Sequence, residues 1–459
     1  MKKVRAIFDI GKTNKKCFLF DKDYQEIYKR YCQFEEIKDE DGHLSDDLSA
    51  IQKWIRDTLD ELLESKKYEI EALNFSTYGA SLVHLDADGN VLTPLYNYTK
   101  PFPESILKIF HEQYGDVLSI AVATASPASG MLNAGLQLFW LKKTQPILFE
   151  KIRWSLHFPQ YLSYLFTGIP LSDFTSIGCH TSLWNYKKGD YHDWVYTEKI
   201  DQVLAPIVPA TTSINTDYNG KRLKIGVGIH DSSAALLPYI RVDQNPFLLV
   251  STGTWSISMN PYSEEVLTQE DLELDCLNYM RVDGKPVKAA RLFLGKEYQE
   301  QVEKLTTFFK KEKGAHRSLI FEEAIYLEQK KKDQHHFHFD YIDLDRTQPS
   351  VTDYSVFNSF AEAFHQLMIE MIAIQVKAIN YAIGKTEIRK IYIDGGFADN
   401  DIFVKLLSYH FKDLKIRTTQ SPLGSALGAA MVITDEKIGK KFLKKNYALK
   451  KHKTLILNS

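Results

Sequence analysis

The sequence predicts an α/β fold built in two related halves. Strand-like apolar runs alternate with helical patterns through most of the chain, as α/β architecture requires. Two stretches also share one layout. "VRAIFDIGKTNKKCFLFDKDYQEI" and "NPFLLVSTGTWSISMNP" each read as a strand, a turn carrying glycine and threonine, and a returning strand. With 459 residues the chain has room for two or three domains. The echo places a boundary near residue 240, giving domains of residues 1–240 and 241–459.

In the first hairpin the apolar run Ile7-Phe8 is interrupted by Asp9, and Gly11, Lys12, Thr13, Asn14, Lys15 and Lys16 follow. Such a turn gathers backbone N–H groups, a hydroxyl, an amide and cations in a few ångströms, the donors a polyphosphate needs. Asp9, just before it, is placed to hold Mg²⁺ through water beside the phosphates. An ordinary β-turn with a solvated aspartate fits the same residues, and on this turn alone the two readings weigh equally. Thr252-Gly253-Thr254 repeats the chemistry in the second half, so two such turns would clamp a nucleotide between them. Asp394-Gly395-Gly396-Phe397 then offers bare backbone against which a planar base can lie. It is not a GxGxxG fingerprint, and its place near the C-terminus argues against a Rossmann domain. Asp399 or Asn400 would cap the helix that follows. In "SPLGSALGAAMVI", Gly424 and Gly428 are four apart, so another backbone or a flat ligand can approach that helix closely.

Bulk properties narrow the class. A 44% hydrophobic and 25% charged composition is that of an ordinary globular protein. A formal net charge of -2 gives no field for nucleic acid or an acidic membrane surface. The basic "MKKVRAIFDIGK" start resembles a signal peptide, but Asp9 and Lys12 break its apolar run too early. No run of about 18 apolar residues suggests a membrane span. Cys17, Cys32, Cys179 and Cys276 are scattered without CxxC spacing and read as reduced thiols of a cytoplasmic protein. The charged stretch from about 300 to 340 reads as solvated helix and loop. His335, His336 and His338 within it lack carboxylates or cysteines at ligand spacing. The basic tail "KIGKKFLKKNYALKKHK" reads as an exposed C-terminal helix.

Taken in order, these stretches resemble the FGGY family of carbohydrate kinases, in the actin-like ATPase-domain superfamily. "DIGKTNKK" is similar to its first phosphate motif and "STGTW" to its second. "YIDGGFADNDIFVKLLSYHF" is similar to its adenosine motif and "SPLGSALGAA" to its closing helix. "TASPASGMLNAGLQLFWLKKTQPILFEKI" and "FPQYLSYLFTG" match the body of domain one. The likeness covers nearly the whole chain. It implies two actin-like, ribonuclease H-like domains with the active site in the cleft between them. ATP phosphates would rest on Gly11, Lys12, Thr13, Asn14, Lys16, Gly253 and Thr254, and adenosine against Gly395, Gly396, Phe397 and Asn400. Mg²⁺ would sit near Asp9 and Asp231. In "GIHDSSAA" the family's general base matches Asp231, which would also suit the start of a helix.

His230 and "STYGASLVHLDADGNVL" resemble the rhamnulokinase and fuculokinase branch, and place the sugar near Tyr78, Gly79, Ala80, Ser81, His230 and Asp231. His230 fits equally a buried structural role. The chain departs from the branch at Ser81, where relatives carry Asp, in "PLYNYTKPFP", which lacks their acidic and arginine residues, and at Lys12, where many relatives have Thr. The resemblance thus implies an ATP-dependent kinase of a ketose, foremost a 6-deoxyhexulose such as L-fuculose or L-rhamnulose. Alternatives are a pentulose or polyol kinase, another actin-like phosphotransferase, and a sugar-sensing relative with weak catalysis. A homodimer is common for such proteins, but no stretch specifies an interface.

Overall fold

The computed structural model describes residues 1–457 apart from 344–346, 421, 422, 435, 437 and 440. Ser421 and Pro422, which open the "SPLGSALGAA" stretch, and two lysines of the basic tail therefore lie outside the described residues.

The first strand, Lys2–Ile10, is buried from Val4 onward, because it lies inside a sheet covered on both faces. It pairs antiparallel with Lys15–Phe20 through the glycine turn and parallel with Tyr68–Thr77. Glu26–Cys32 closes one edge. Lys221–Gly226 and Ser213–Tyr218 extend the other, and Ile229–His230 also joins Tyr68–Thr77 in parallel. The parallel return needs a crossover. The helix Leu48–Glu64 supplies it, started by Asp47, whose side chain accepts from the Ala50 N–H, and packed through Ile51, Ile55, Leu59 and Leu62.

The second sheet repeats this plan. Its order is Cys276–Met280, Pro286–Leu292, Ser256–Asn260, Phe247–Thr252, Lys390–Gly395, Lys415–Thr419, Lys450–Lys451. Phe247–Thr252 again has its hairpin partner antiparallel on one side and a later strand parallel on the other. The 24-residue helix Phe360–Ile383, capped by Ser359, lies in this crossover. The layout shared by the two sequence stretches is thus a shared topology.

Two helices join the halves. Asp231–Val242 packs against Gly424–Val432, and a Cβ on Gly428 would overlap the Ala234 carbonyl oxygen. The helix Gly424–Val432 and the chain leaving it are fastened to the first sheet. Asn74 Nδ2 donates to the Ala429 carbonyl at 2.8 Å, Lys224 Nζ to the Ile433 carbonyl at 2.8 Å, and Arg5 pairs with Glu436.

Two expectations are corrected here. The charged stretch is not solvated throughout. Leu294–Phe308 and Glu323–Lys332 bury Val302, Leu305 and Tyr326, while Phe337 and Phe339 enter the same core between outward histidines. Charge on one side of these elements masks the apolar stripe on the other. The basic tail is not one exposed helix either. It forms the short helix Phe442–Asn446 and an edge strand, with Phe442, Leu443 and Tyr447 buried against Tyr24 and Tyr239. All four cysteines are free. No described helix is long and apolar enough to cross a membrane.

Candidate active site

Asp9 stands near the C-terminal end of the first strand, in register with Lys16 on one neighbour and Ser76 on the other. Burial pushes its carboxyl up and the Asp231 charge adds to this, while Lys16, Ser425 and Ser76 oppose. Lys16 Nζ lies 3.5 Å from Asp9 Oδ2. Asp231 is the first residue of its helix, where a carboxylate meets the positive end of the helix dipole. The N-cap is His230, not Asp231. The Asp231 side chain is 35% exposed, and burial of its carboxyl raises it to about 6. Two carboxylates close enough for the Asp231 charge to raise Asp9, with one lysine 3.5 Å from Asp9, form an oxygen donor pair suited to a hard cation. No group of three or more ligating side chains occurs among the described residues, so a Mg²⁺ ion here would draw further ligands from water and phosphate.

The two glycine turns are closed alike. Gly11 N donates to Asn14 O at 3.0 Å and Gly253 N to Trp255 O at 2.8 Å, and Thr13, Asn14, Gly253 and Thr254 are exposed. The Lys12 ammonium is already taken: it donates to Glu36 Oε1 at 2.7 Å and Asp46 Oδ2 at 2.6 Å. Lys12 therefore offers a phosphate chiefly its backbone. Thr252 links the second turn to the third, donating to the Asp394 carbonyl at 2.6 Å and accepting from Phe397 N at 3.1 Å. Gly395 has φ +90°, and a Cβ there would overlap the Thr252 carbonyl oxygen, so glycine is required. Gly395 and Gly396 are exposed, whereas the Phe397 ring is buried 4.8 Å from Tyr298 and 4.6 Å from Phe403. Asn400 caps the next helix, accepting from Phe403 N at 3.0 Å.

On the sugar stretch the Tyr78 hydroxyl donates to Asp46 Oδ2 at 2.7 Å. Gly79 admits no side chain, since a Cβ would lie 2.7 Å from Cys179 Sγ and 3.2 Å from the His230 ring. Ala80 has φ 59°, the left-handed region. Ser81 is buried and its carbonyl accepts from Phe158 N at 3.1 Å. His230 is buried as well, its ring stacked 5.7 Å from Tyr279 of the second sheet and its Nε2 3.2 Å from Cys179 Sγ. Burial holds its imidazole down at about 4.

Sequence reading missed Asp46, Lys15, His157, Cys179, His180 and Tyr279. Asp46 stands beside the N-cap Asp47, so local pattern assigns both to a helix start. The buried Lys15 Nζ donates to Asp46 Oδ1 at 2.8 Å. Burial alone would raise the Asp46 carboxyl, but Lys12, Lys15 and Tyr78 more than offset it and hold it below its ordinary value.

A mixed sheet repeated twice, with an aspartate and a glycine hairpin at the head of the first copy, defines a two-domain phosphotransferase-type fold. Comparison with known proteins agrees. Residues 4–229 match the FGGY family of carbohydrate kinases, N-terminal domain, and residues 244–333 match the carbohydrate kinase FGGY, C-terminal domain. The chain belongs to the FGGY family of carbohydrate kinases. It is 26% identical over 243 residues to the rhamnulokinase of Yersinia pestis strain Pestoides F, spanning 50% of this chain and 47% of that one. The rhamnulokinase of Bacteroides thetaiotaomicron is 26% identical over 263 residues, spanning 53% and 51%. The chain thus aligns with about half the length of these curated relatives. In fold it is similar to a carbohydrate kinase from Novosphingobium aromaticivorans, with TM-score 0.78 at 21% identity over 99% of this chain and 97% of the other. A ligand-bound xylulose kinase from Lactobacillus acidophilus has TM-score 0.73 at 16% identity, over 97% and 90%.

Proposed function

We propose that this protein transfers the γ-phosphate of ATP to a hydroxyl of a ketose, foremost a 6-deoxyhexulose such as L-rhamnulose or L-fuculose. The observation that carries this reading is the Asp9–Asp231 pair beside the first glycine turn, in a chain of this family. The rhamnulokinase relatives support the sugar class. Domains of residues 1–240 and 241–459 would part and close around the substrates.

ATP phosphates would lie on the backbone of Gly11 to Asn14 and of Gly253 and Thr254, with Lys16 as the nearby cation. Adenosine would rest on the exposed backbone of Gly395 and Gly396. The buried Phe397 ring and the capping Asn400 shape that surface from beneath. Mg²⁺, held by Asp9 and Asp231 through water, would neutralise phosphate oxygens when bound. The sugar would sit against Tyr78 to Ser81.

Asp231 accepts the acceptor hydroxyl's proton. A sugar hydroxyl is far less acidic than a carboxyl, so the proton moves late in a loose transition state. Positioning then supplies most of the acceleration, and the base about 10²–10⁴-fold. Closure of the two halves would exclude water and so limit futile hydrolysis of ATP.

The test is sugar-dependent ADP release with ATP and Mg²⁺ across L-rhamnulose, L-fuculose, D- and L-ribulose, D- and L-xylulose and glycerol. Strong preference for a 6-deoxyhexulose supports the reading in full. Preference for a pentulose or glycerol overturns the sugar class and keeps the kinase. Silence across the panel with ATP bound overturns the kinase in favour of a sugar sensor.

A further inference from the structure

Behind the Tyr78–Ser81 stretch lies a cavity of about 10 Å³, lined by Tyr78, Ser81, His157, Phe158, Ser176 and His230. That is room for about one water molecule. Two of these lining residues carry a buried ring nitrogen, His157 Nε2 and His230 Nδ1, with no hydrogen-bond partner among the described residues. The hydroxyls of Ser81 and Ser176, whose neighbours are Tyr78 and Asp173, complete four polar groups around the space.

The hydrogen positions on the far side of His230 follow from one backbone group. The Leu132 carbonyl can only accept, so His180 Nδ1, at 3.3 Å, carries the proton. His180 Nε2 then has a lone pair and takes the Cys179 S–H at 3.3 Å. The Cys179 sulfur is left as acceptor, and His230 Nε2, at 3.2 Å, must be the N–H. Asp231 Oδ1, 3.3 Å from the same nitrogen, makes the same choice, since a carboxylate would repel a lone pair there. A neutral His230 ring with its proton on Nε2 leaves a bare acceptor at Nδ1, buried and unpartnered on a ring that lines the cavity.

We propose that a single structural water occupies this cavity and donates to His230 Nδ1, and that His230 is thereby a positioning residue for Asp231. The water satisfies Nδ1 and so keeps the proton on Nε2, which faces Cys179 Sγ and lies 3.3 Å from Asp231 Oδ1. Ser232 Oγ, at 3.3 Å, donates to the same oxygen. Oδ1 thus accepts from Ser232 and has the His230 N–H as its polar neighbour, and Oδ2 is the oxygen left for the sugar hydroxyl. Ser81, buried at the cavity wall, also acts through this water. The assignment rests on Asp231 being the base of the proposed kinase.

The experiment pairs a high-resolution crystal structure with kinetics of Ser176→Val, His230→Leu, His230→Gln and the Ser176→Val/His230→Leu double variant. Ser176→Val fills the cavity from a lining side chain that has no role in the proposed transfer. The structure should show one water peak in the wild-type cavity and none in Ser176→Val. Both Ser176→Val and His230→Leu should lower kcat by about 10–100-fold with sugar and ATP KM unchanged, the range for groups that orient a reacting ligand. The double variant should be no slower than the worse single one, because both break one chain of contacts. His230→Gln, which keeps an N–H donor, should recover part of kcat. A dry wild-type cavity, an unchanged kcat in Ser176→Val, or additive losses would each overturn the proposal. Absence of wild-type turnover on every sugar would instead sink the kinase reading, and the water peak would be judged alone.

Discussion

The Lys12 ammonium lies 2.6 Å from Asp46 Oδ2, and the same carboxylate takes Lys15 at 2.8 Å and the Tyr78 hydroxyl at 2.7 Å. One buried aspartate therefore ties the first glycine turn to the sugar stretch. Asp46→Ala would leave Lys15, whose side chain is 2% exposed, as an uncompensated buried cation, with only the Lys12 carbonyl among the described residues to accept from it. Removing one partner of a buried pair costs about 3–5 kcal/mol, so the urea midpoint should fall by that equivalent with an unchanged slope. Glu36→Gln, at a partly exposed side chain that touches Lys12 and Asn97, should cost less than about 1 kcal/mol. Equal losses in the two variants would remove Asp46 from this role.

The charged stretch after residue 300 makes a second test. Phe337 is fully buried, stacked 6.2 Å from Phe339 and 5.8 Å from Phe357. Phe337→Ala should cost about 3–5 kcal/mol, while the exposed Lys331→Ala should stay within about 0.5 kcal/mol. Thermal or urea unfolding decides between a core element and a solvated arm, and a small loss for Phe337→Ala would restore the latter.

The contrast marks what a sequence of this kind reveals. Hairpins announce themselves locally, because strand, glycine turn and strand are contiguous, and so both sheets and their repetition were legible. A cap at Asp399 or Asn400 was legible for the same reason, and the structure gives it to Asn400. Asp46, Cys179 and His157 were not, since each acquires its meaning from partners far along the chain: Asp46 from Lys12, Lys15 and Tyr78, Cys179 from His230. Lys12 looked like a phosphate cation because its turn carries no carboxylate, yet Glu36 and Asp46 are brought to it by the fold. Phe337 was hidden by the histidines and lysines that flank it.

Gly428 tests the contact between the halves. On an isolated helix, glycine to alanine gains about 0.5–1 kcal/mol. Here the new methyl would overlap the Ala234 backbone carbonyl, which cannot rotate away. Overpacking costs about 1–3 kcal/mol or more, so the sign reverses and Gly428→Ala should lower the melting temperature. Sugar-dependent turnover should fall with it if the two helices set how the halves close. A variant as stable as the wild type would mean that Asp231–Val242 and Gly424–Val432 can part without loss.

Asp231 links stability and activity with opposite signs. Burial raises its carboxyl to about 6, above the value of about 4 expected in the unfolded chain. The folded protein therefore binds the proton more tightly, and this group's contribution to stability is present below about pH 4 and lost as pH rises through about 6. Asp231→Asn stays neutral, so it should melt above the wild type at pH 7 to 8, the two converging toward pH 4. The base works only when ionised, so wild-type kcat/KM for the sugar should rise with pH through about 6, and Asp231→Asn should lose transfer while still binding the sugar. Calorimetry at several pH values and a pH–rate profile measure the two halves of the claim. A variant that melts lower at pH 8, or a flat wild-type profile from pH 5 to 7, would show that the carboxyl is not held in its neutral form by the fold, and transfer retained by Asp231→Asn would remove it as the base.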